Sequence, residues 1–394
     1  MNQQTGLGSP PGMEGTMRAD ARRRLGLAIT AAVLLLALSK PAATTLQAAF
    51  LRPAAAAPEY MVLELGRLLG DRNVARGLNS SGHIAGRSGH QQGTGGRAFV
   101  WTPALGAQFL GTLGGGDYSG ASAVNISGQV IGSSNTANAL RAFLWTRQGG
   151  MQDLGTLPGD TSSSALAINE DGVVAGFSSG SRGIRALLWR RQGEIQELPG
   201  LAGYRDSVAV DVNESGEVAG YVSTSDGVDR AVRWSRGIEE LGVLPPPHHT
   251  RSRATALNDN GQVVGYSGGS GVMHAFLWSD RNGMLDLGTL PGGTNSRAAS
   301  INQSGQVVGG SGSTRGFRAF LWTPSRGMRD LNDLVDAPGL QLLEALRINR
   351  GGQIVVVGVR RSPDDDLHPA AVHHGDEADH EAPTDVFLLT PLTF

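Results

Sequence analysis

Six tryptophans constrain this chain more than any other feature. They stand at Trp101, Trp145, Trp189, Trp234, Trp278 and Trp322, with spacings of 44, 44, 45, 44 and 44 residues. A fixed period of that size marks a repeat architecture. A second marker, Asn-x-x-Gly, begins at Asn79, Asn125, Asn169, Asn213, Asn258, Asn302 and Asn349, so seven units lie between residues 60 and 390. The seventh unit lacks its tryptophan, but residues 386–391 (VFLLTP) match 319–324 (AFLWTP) position for position, with Leu389 in the place of Trp322. From Trp322 to Leu389 is 67 residues instead of 44, so about 23 residues are inserted in this unit, mostly within 359–383.

Each unit holds four short apolar runs separated by turn residues. In the copy from Met284 to Pro324 they read MLDLG, AASIN, QVVGG and RAFLW, the pattern of four strands. Asn-x-x-Gly between the second and third runs is hairpin chemistry, with the asparagine capping its own following backbone and the glycine taking the left-handed position. The run Ala-Phe-Leu-Trp does not alternate, so both faces of that strand should be covered by neighbouring sheets. A β-solenoid coil needs only about 20 to 30 residues, whereas 40 to 50 residues with four strands fit one propeller blade. The expected fold is therefore all-β, a seven-bladed β-propeller of four-stranded blades. Its first run, residues 61–66 (MVLELG), is an isolated DLG-type strand, and the chain ends on an RAFLW-type run. The N-terminal strand should therefore join the last blade and close the ring, hiding edges that would otherwise invite aggregation.

Composition agrees with many short strands and tight turns: 58 glycines and 17% charged residues. A net charge of −2, with Lys40 the single lysine among 33 basic residues, gives no global field for nucleic acid. The absence of cysteine excludes disulfides and thiolate chemistry, so any metal site must use histidine and carboxylates. Residues 1–24 form a basic n-region ending in Arg22, Arg23 and Arg24, and 25–49 hold the uncharged run Leu25 to Leu38 and a small-residue cleavage zone. This reads as an export signal, too short for the roughly 20 apolar residues of a spanning helix. The competing reading is an uncleaved signal anchor, and the sequence leaves open whether export follows the general or the twin-arginine route. Residues 50–59 are an Ala/Pro linker, and 60–394 are the repeat domain.

The pattern A-x-x-I-N-x-x-G-x-V-V-G, the run His274-Ala275-Phe276-Leu277-Trp278 and the recurring DLGTLPGG resemble the HAF family of extracellular repeats. The resemblance covers about 85% of the chain. It implies an exported bacterial protein of propeller type and carries no reaction or catalytic residues.

One tryptophan per blade is read as packing between blades rather than a sugar-stacking ring, because each ends an apolar strand. The loops after DLG and those between VVG and RAFLW gather on one face, and their Gly, Ser, Thr and Asn content suits carbohydrate or peptide. Asp117, Asp160 and Asp206 occupy roughly equivalent loop positions there. They are candidates for calcium or for glycosidase carboxylates, against the ordinary reading as solvated turn acids. In the insertion, His368, His373, His374, His380, Asp376 and Asp379 are candidates for zinc or nickel, against an acidic loop without a site. No phosphate-binding glycine loop before a helix and no nucleophile elbow is present. The expectation is an exported, non-enzymatic binding scaffold that works through its loop face without a cofactor. Its partner would be a protein or an extracellular polysaccharide, with the membrane reached only through an uncleaved signal. The alternative is a propeller enzyme or lectin acting on extracellular carbohydrate.

Overall fold

A computed structural model describes residues 57–65, 72–89, 95–269, 271–360 and 385–392. Seven four-stranded antiparallel sheets make up the fold, each one repeat unit shifted in phase, and they form a β-propeller. The strand that precedes Asn-x-x-Gly is innermost in every blade: Arg72–Leu78, Ser119–Val124, Asp160–Ile168, Asp206–Val212, Arg251–Leu257, Ser296–Ile301 and Leu340–Ile348 in blades 1 to 7. The DLG-type strand is outermost. In blade 7 that outer strand is Tyr60–Glu64 from the start of the domain, paired with Asp385–Pro391 in the register Tyr60↔Pro391 to Glu64↔Phe387. Ile354 faces Leu389 as Val307 faces Trp322, so the match between the last two units holds in three dimensions. The inserted segment connects Arg360 to Asp385 and lies outside the described residues, as does the run from Leu25 to Leu38.

Closure is fastened by more than the strand pairing. The Glu59 carboxylate accepts from both Arg329 nitrogens, at 2.7 and 3.2 Å, and from Arg326 at 2.9 Å, while Glu64 accepts from Arg360 at 2.8 and 2.9 Å. The Arg329 contact holds the Glu59 carboxyl below the usual glutamate range.

The repeated asparagines do two jobs. Each side-chain oxygen accepts a backbone N–H four residues on, as at Asn169 from Val173 (2.9 Å), which shapes the turn. Each side-chain amide also donates to the main-chain carbonyl of the equivalent asparagine in the next blade. The series runs Asn79 to Asn125, then to Asn169, Asn213, Asn258, Asn302 and Asn349, and back to Asn79, at 2.9 to 3.3 Å. All seven asparagines are buried. Seven bonds thus make a closed ring around one end of the channel. Losing a buried donor and a turn cap together should make Asn169→Ala cost about 2 to 3 kcal/mol in urea denaturation. Asn169→Asp, which retains the acceptor but sets a carboxylate against the Asn213 carbonyl, should cost more.

Blades pack through the second and third strands. Phe99, Phe143, Phe276, Phe320 and Phe387 are fully buried in the third strands. Leu187 and Val232 replace this phenylalanine in blades 3 and 4, and there the tryptophan turns inward instead. The rings of Trp189 and Trp234 lie over Gly176 and Gly220 in the way that Phe99 lies over Gly86. Arg233, where other blades have an apolar residue, binds Asp280 of blade 5 through two nitrogens (2.6 and 3.1 Å) and Glu239 (2.9 Å), and stacks on Trp278 at 4.6 Å. A charged residue in an apolar register has become a staple between blades 4 and 5.

Candidate functional site

Inner strands of a propeller face a central channel, and their regular alternation is broken here. All seven carry a bulge at the residue three before the asparagine: Leu346 in blade 7, and in blades 1 to 6 Arg76, Ser122, Leu166, Val210, Thr255 and Ala299. The six of blades 1 to 6 line a cavity of 340 Å³ within the channel, while Leu346 packs against the apolar core. Nearer the loop end, the position five before the asparagine adds Arg253, Arg297 and Glu344, and the second strands add Tyr221 and Tyr266. Arg347 of blade 7 completes the wall. Four arginines therefore meet one glutamate around this space.

The arginines are held differently. Arg297 forms a fork with Glu344, both bonds 2.7 Å long. Arg253 pairs with the buried Asp229 at 2.6 Å and stacks on Tyr221 at 4.5 Å. Burial works against the Arg253 charge, but Tyr266 and the Asp229 hydrogen bond outweigh it and raise its pKa. Arg76 and Arg347 take part in no ion pair among the described residues; Arg347 donates only to the Leu346 carbonyl, at 2.8 Å. Burial lowers the Arg347 pKa, Asp211 opposes this, and the Arg76 charge lowers it further.

Asp211 stands two residues before its asparagine, where blades 2, 3 and 5 have Ala123, Ala167 and Ala256. It accepts from the Leu257 N–H of blade 5 at 2.9 Å and from the Val212 N–H at 3.0 Å. Burial pushes its carboxyl up to about 6, against the pull of these bonds and of Arg347. A raised carboxyl pKa means that the folded state holds the proton longer than the unfolded chain, so stability is greatest at low pH and falls as pH rises from about 4 to 6. Relative to Asp211→Ala, which restores the residue of three other blades, the native chain should lose on the order of 2 kcal/mol across that window. Denaturant titrations of both proteins at pH 4, 5, 6 and 7 measure the difference.

At the asparagine end, a further set of bonds joins blades. In blades 3 to 6 the residue after the asparagine accepts the equivalent N–H of the preceding blade: Glu170 from Ile126, Glu214 from Glu170, Asp259 from Glu214, and Gln303 from Asp259. This places three carboxylates in a row on blades 3 to 5. Burial, and then the charges of Glu170, Asp259 and Asp171, raise the Glu214 pKa.

The aspartates singled out from sequence sit on the loop side, each with a neighbour of its own. Asp117 is exposed and bonded to Asn135 at 2.5 Å. The Asp160 carboxylate is buried between Ser178 (2.7 Å) and Arg185 (2.6 Å), and those partners overcome burial to lower its pKa. Asp206 accepts the Ile184 N–H of blade 3 at 2.7 Å. None of the three lines the channel cavity. Trp145, Trp189, Trp234, Trp278 and Trp322 are buried, Trp101 is half-buried, and Trp234 donates to the Pro199 carbonyl at 2.8 Å. His368, His373, His374, Asp376, Asp379 and His380 lie outside the described residues, among which no group of three His, Asp or Glu is placed to hold a metal ion. Sequence reasoning missed the channel arginines. The signal available was variation inside an otherwise regular repeat: the position five before the asparagine reads Val74, Gly120, Ser164, Val208, Arg253, Arg297 and Glu344.

No family model and no curated protein matches the sequence. Solved structures do match in fold. Virginiamycin B lyase from Staphylococcus aureus is 13% identical, with 85% of this chain and 100% of that chain covered and a TM-score of 0.51. The shared feature is the propeller. The β-propeller domain of the Trilobed protease from Pyrococcus furiosus is 10% identical, covering 68% of this chain and 84% of that one with a TM-score of 0.47. TolB from Acinetobacter baumannii is 12% identical over 54% of this chain, with a TM-score of 0.40, and the match spans about half of its length, 53%.

Proposed function

We propose that this chain is an exported propeller of the HAF repeat type that acts as a binding scaffold, with the channel and its loop end as the ligand-facing surface. The observation that carries this reading is the convergence of charged and aromatic side chains on the channel cavity. A structural ring needs only small residues on its inner strands, as blades 2 and 3 supply, yet blades 1 and 5 to 7 place charged side chains, and blades 4 and 5 tyrosines, around an open space. Concave sites with a few convergent polar groups are the usual form of a ligand pocket. Glu344, the one carboxylate on the wall, is occupied by Arg297, which favours binding over acid–base chemistry. The tyrosines at 221 and 266 favour carbohydrate as the second reading, since sugars stack on aromatic faces.

A thermal-unfolding screen of residues 56–394 against neutral and acidic oligosaccharides, calcium and zinc tests this. A ligand at 100 times its dissociation constant should add about 2.7 kcal/mol of stability. Silence across the screen, together with no partner retained from the cell envelope, would count against a binding role.

A further inference from the structure

Arg76 and Arg347 come from blades 1 and 7, the two blades that closure of the ring makes neighbours. Both line the channel cavity, Arg76 is exposed, and neither forms a contact ion pair among the described residues, with Asp211 acting on Arg347 only at longer range. The other two arginines of the wall are committed to Asp229 and Glu344. Two like charges within electrostatic reach of each other disfavour one another, and an anion between them removes that penalty. The Asp211 carboxylate is hydrogen-bonded to the Leu257 and Val212 amides.

We propose that the cavity binds the carboxylate of a small hydroxylated ligand, a sugar acid of the uronic type, between the Arg76 and Arg347 guanidiniums. This rests on the reading of the channel as the ligand site and names its substrate class. Guanidinium forks match the planar geometry of a carboxylate and bind it through paired hydrogen bonds. The rest of the wall suits a sugar ring: the Ser122 hydroxyl, the Thr255 oxygen as an acceptor since its proton goes to main-chain carbonyls, and Tyr266 as aromatic surface. A volume of 340 Å³ is at the small end of ligand pockets, matching one or two sugar units rather than a wrapped polymer.

Isothermal titration of residues 56–394 with galacturonate, galactose and galactose 1-phosphate tests the assignment. The expected result is binding of galacturonate that weakens as salt is added, little binding of galactose, and a roughly 10- to 100-fold loss in Arg76→Gln, the effect of removing a charged hydrogen-bond partner. Arg76 is exposed and unpaired, so Arg76→Gln should melt like the native protein, and it carries the test even where Arg347→Gln folds poorly. Equal binding of galactose, preference for the sugar phosphate with galacturonate silent, or unchanged affinity in Arg76→Gln overturns the proposal. If galacturonate fails while a neutral oligosaccharide or a protein binds the loop end, the carboxylate site is wrong and the scaffold reading survives.

Discussion

Removing residues 57–65 should abolish cooperative unfolding and leave a protein that aggregates during purification. The segment is nine residues at one end of the domain, but it supplies the outer strand of blade 7. Without it the edge of Asp385–Pro391 is bare, and Phe387 and Leu389, both fully buried, lose cover on that side. Tyr60 and Leu65 leave with it, and each buried side chain of that size stabilises by about 1.5 to 3 kcal/mol. The Glu59 clasp to Arg326 and Arg329 goes as well. An unpaired edge on an apolar strand is a template for association. Gel filtration and a thermal melt of residues 66–394 beside residues 56–394 make the comparison. A synthetic peptide of residues 57–65 should restore part of the melt by adding the missing strand in trans. A truncated protein that stays monomeric with an unchanged melt would mean that blade 7 does not depend on this strand.

Gly220→Ala should be the most damaging single substitution in the middle of the ring. The last glycine of the VVG run sits where the second strand passes the inner one, and a Cβ there would lie 2.0 Å from the Val208 carbonyl oxygen. The obstacle is backbone held in a sheet ladder, so it cannot swing aside. The same clash, at 2.0 to 2.1 Å, recurs at Gly86, Gly132, Gly176, Gly265 and Gly309. Overpacking usually costs about 1 to 3 kcal/mol, and the rigid partner places this case at or above the upper end. Gly216→Ala is the informative control: its Cβ meets nothing within 4 Å, and the cost comes only from a φ of +78°, about 1 to 2 kcal/mol. Urea denaturation of both variants should rank them clearly. Blade 7 shows how the constraint can be relieved. Val356 stands at the glycine position, and the inner strand opposite carries a second register shift, between Leu342 and Glu344, next to the carbonyl that would otherwise collide.

The architecture could be read in the chain because a 44-residue period repeats the same local chemistry seven times. Strand order, the exchange of Trp322 for Leu389 and the return of the first strand to the last blade all follow from phase. Three features could not be read that way, each for a physical reason. The asparagine amide bonds reach about 44 residues along the chain, and only the three-dimensional ring brings donor and acceptor together. The bulge before each asparagine breaks the alternation of side chains, so simple counting along Arg72–Leu78 does not show where Arg76 points. The channel arginines lie inside strands, while loops attract attention as sites. Asp117, Asp160 and Asp206 were conspicuous as loop acids, but their hydrogen bonds join strands at the rim.

Everything about the channel depends on one claim: the ring is closed by the N-terminal strand, which completes the blade that sets Arg347 beside Arg76. The chain has no cysteine, so a disulfide can report on closure without interference. Met61 and Thr390 are directly opposed across the closing pair, and Cα atoms so placed lie about 4.5 to 5.5 Å apart, within disulfide range. Met61→Cys with Thr390→Cys should form an intramolecular disulfide on mild oxidation, seen as the mass loss of two hydrogens in a monomer. Met61→Cys with Leu105→Cys, which places the partner on a turn of blade 1, should not. Free thiols in the first pair, or linkage only between separate chains, would contradict the closed ring.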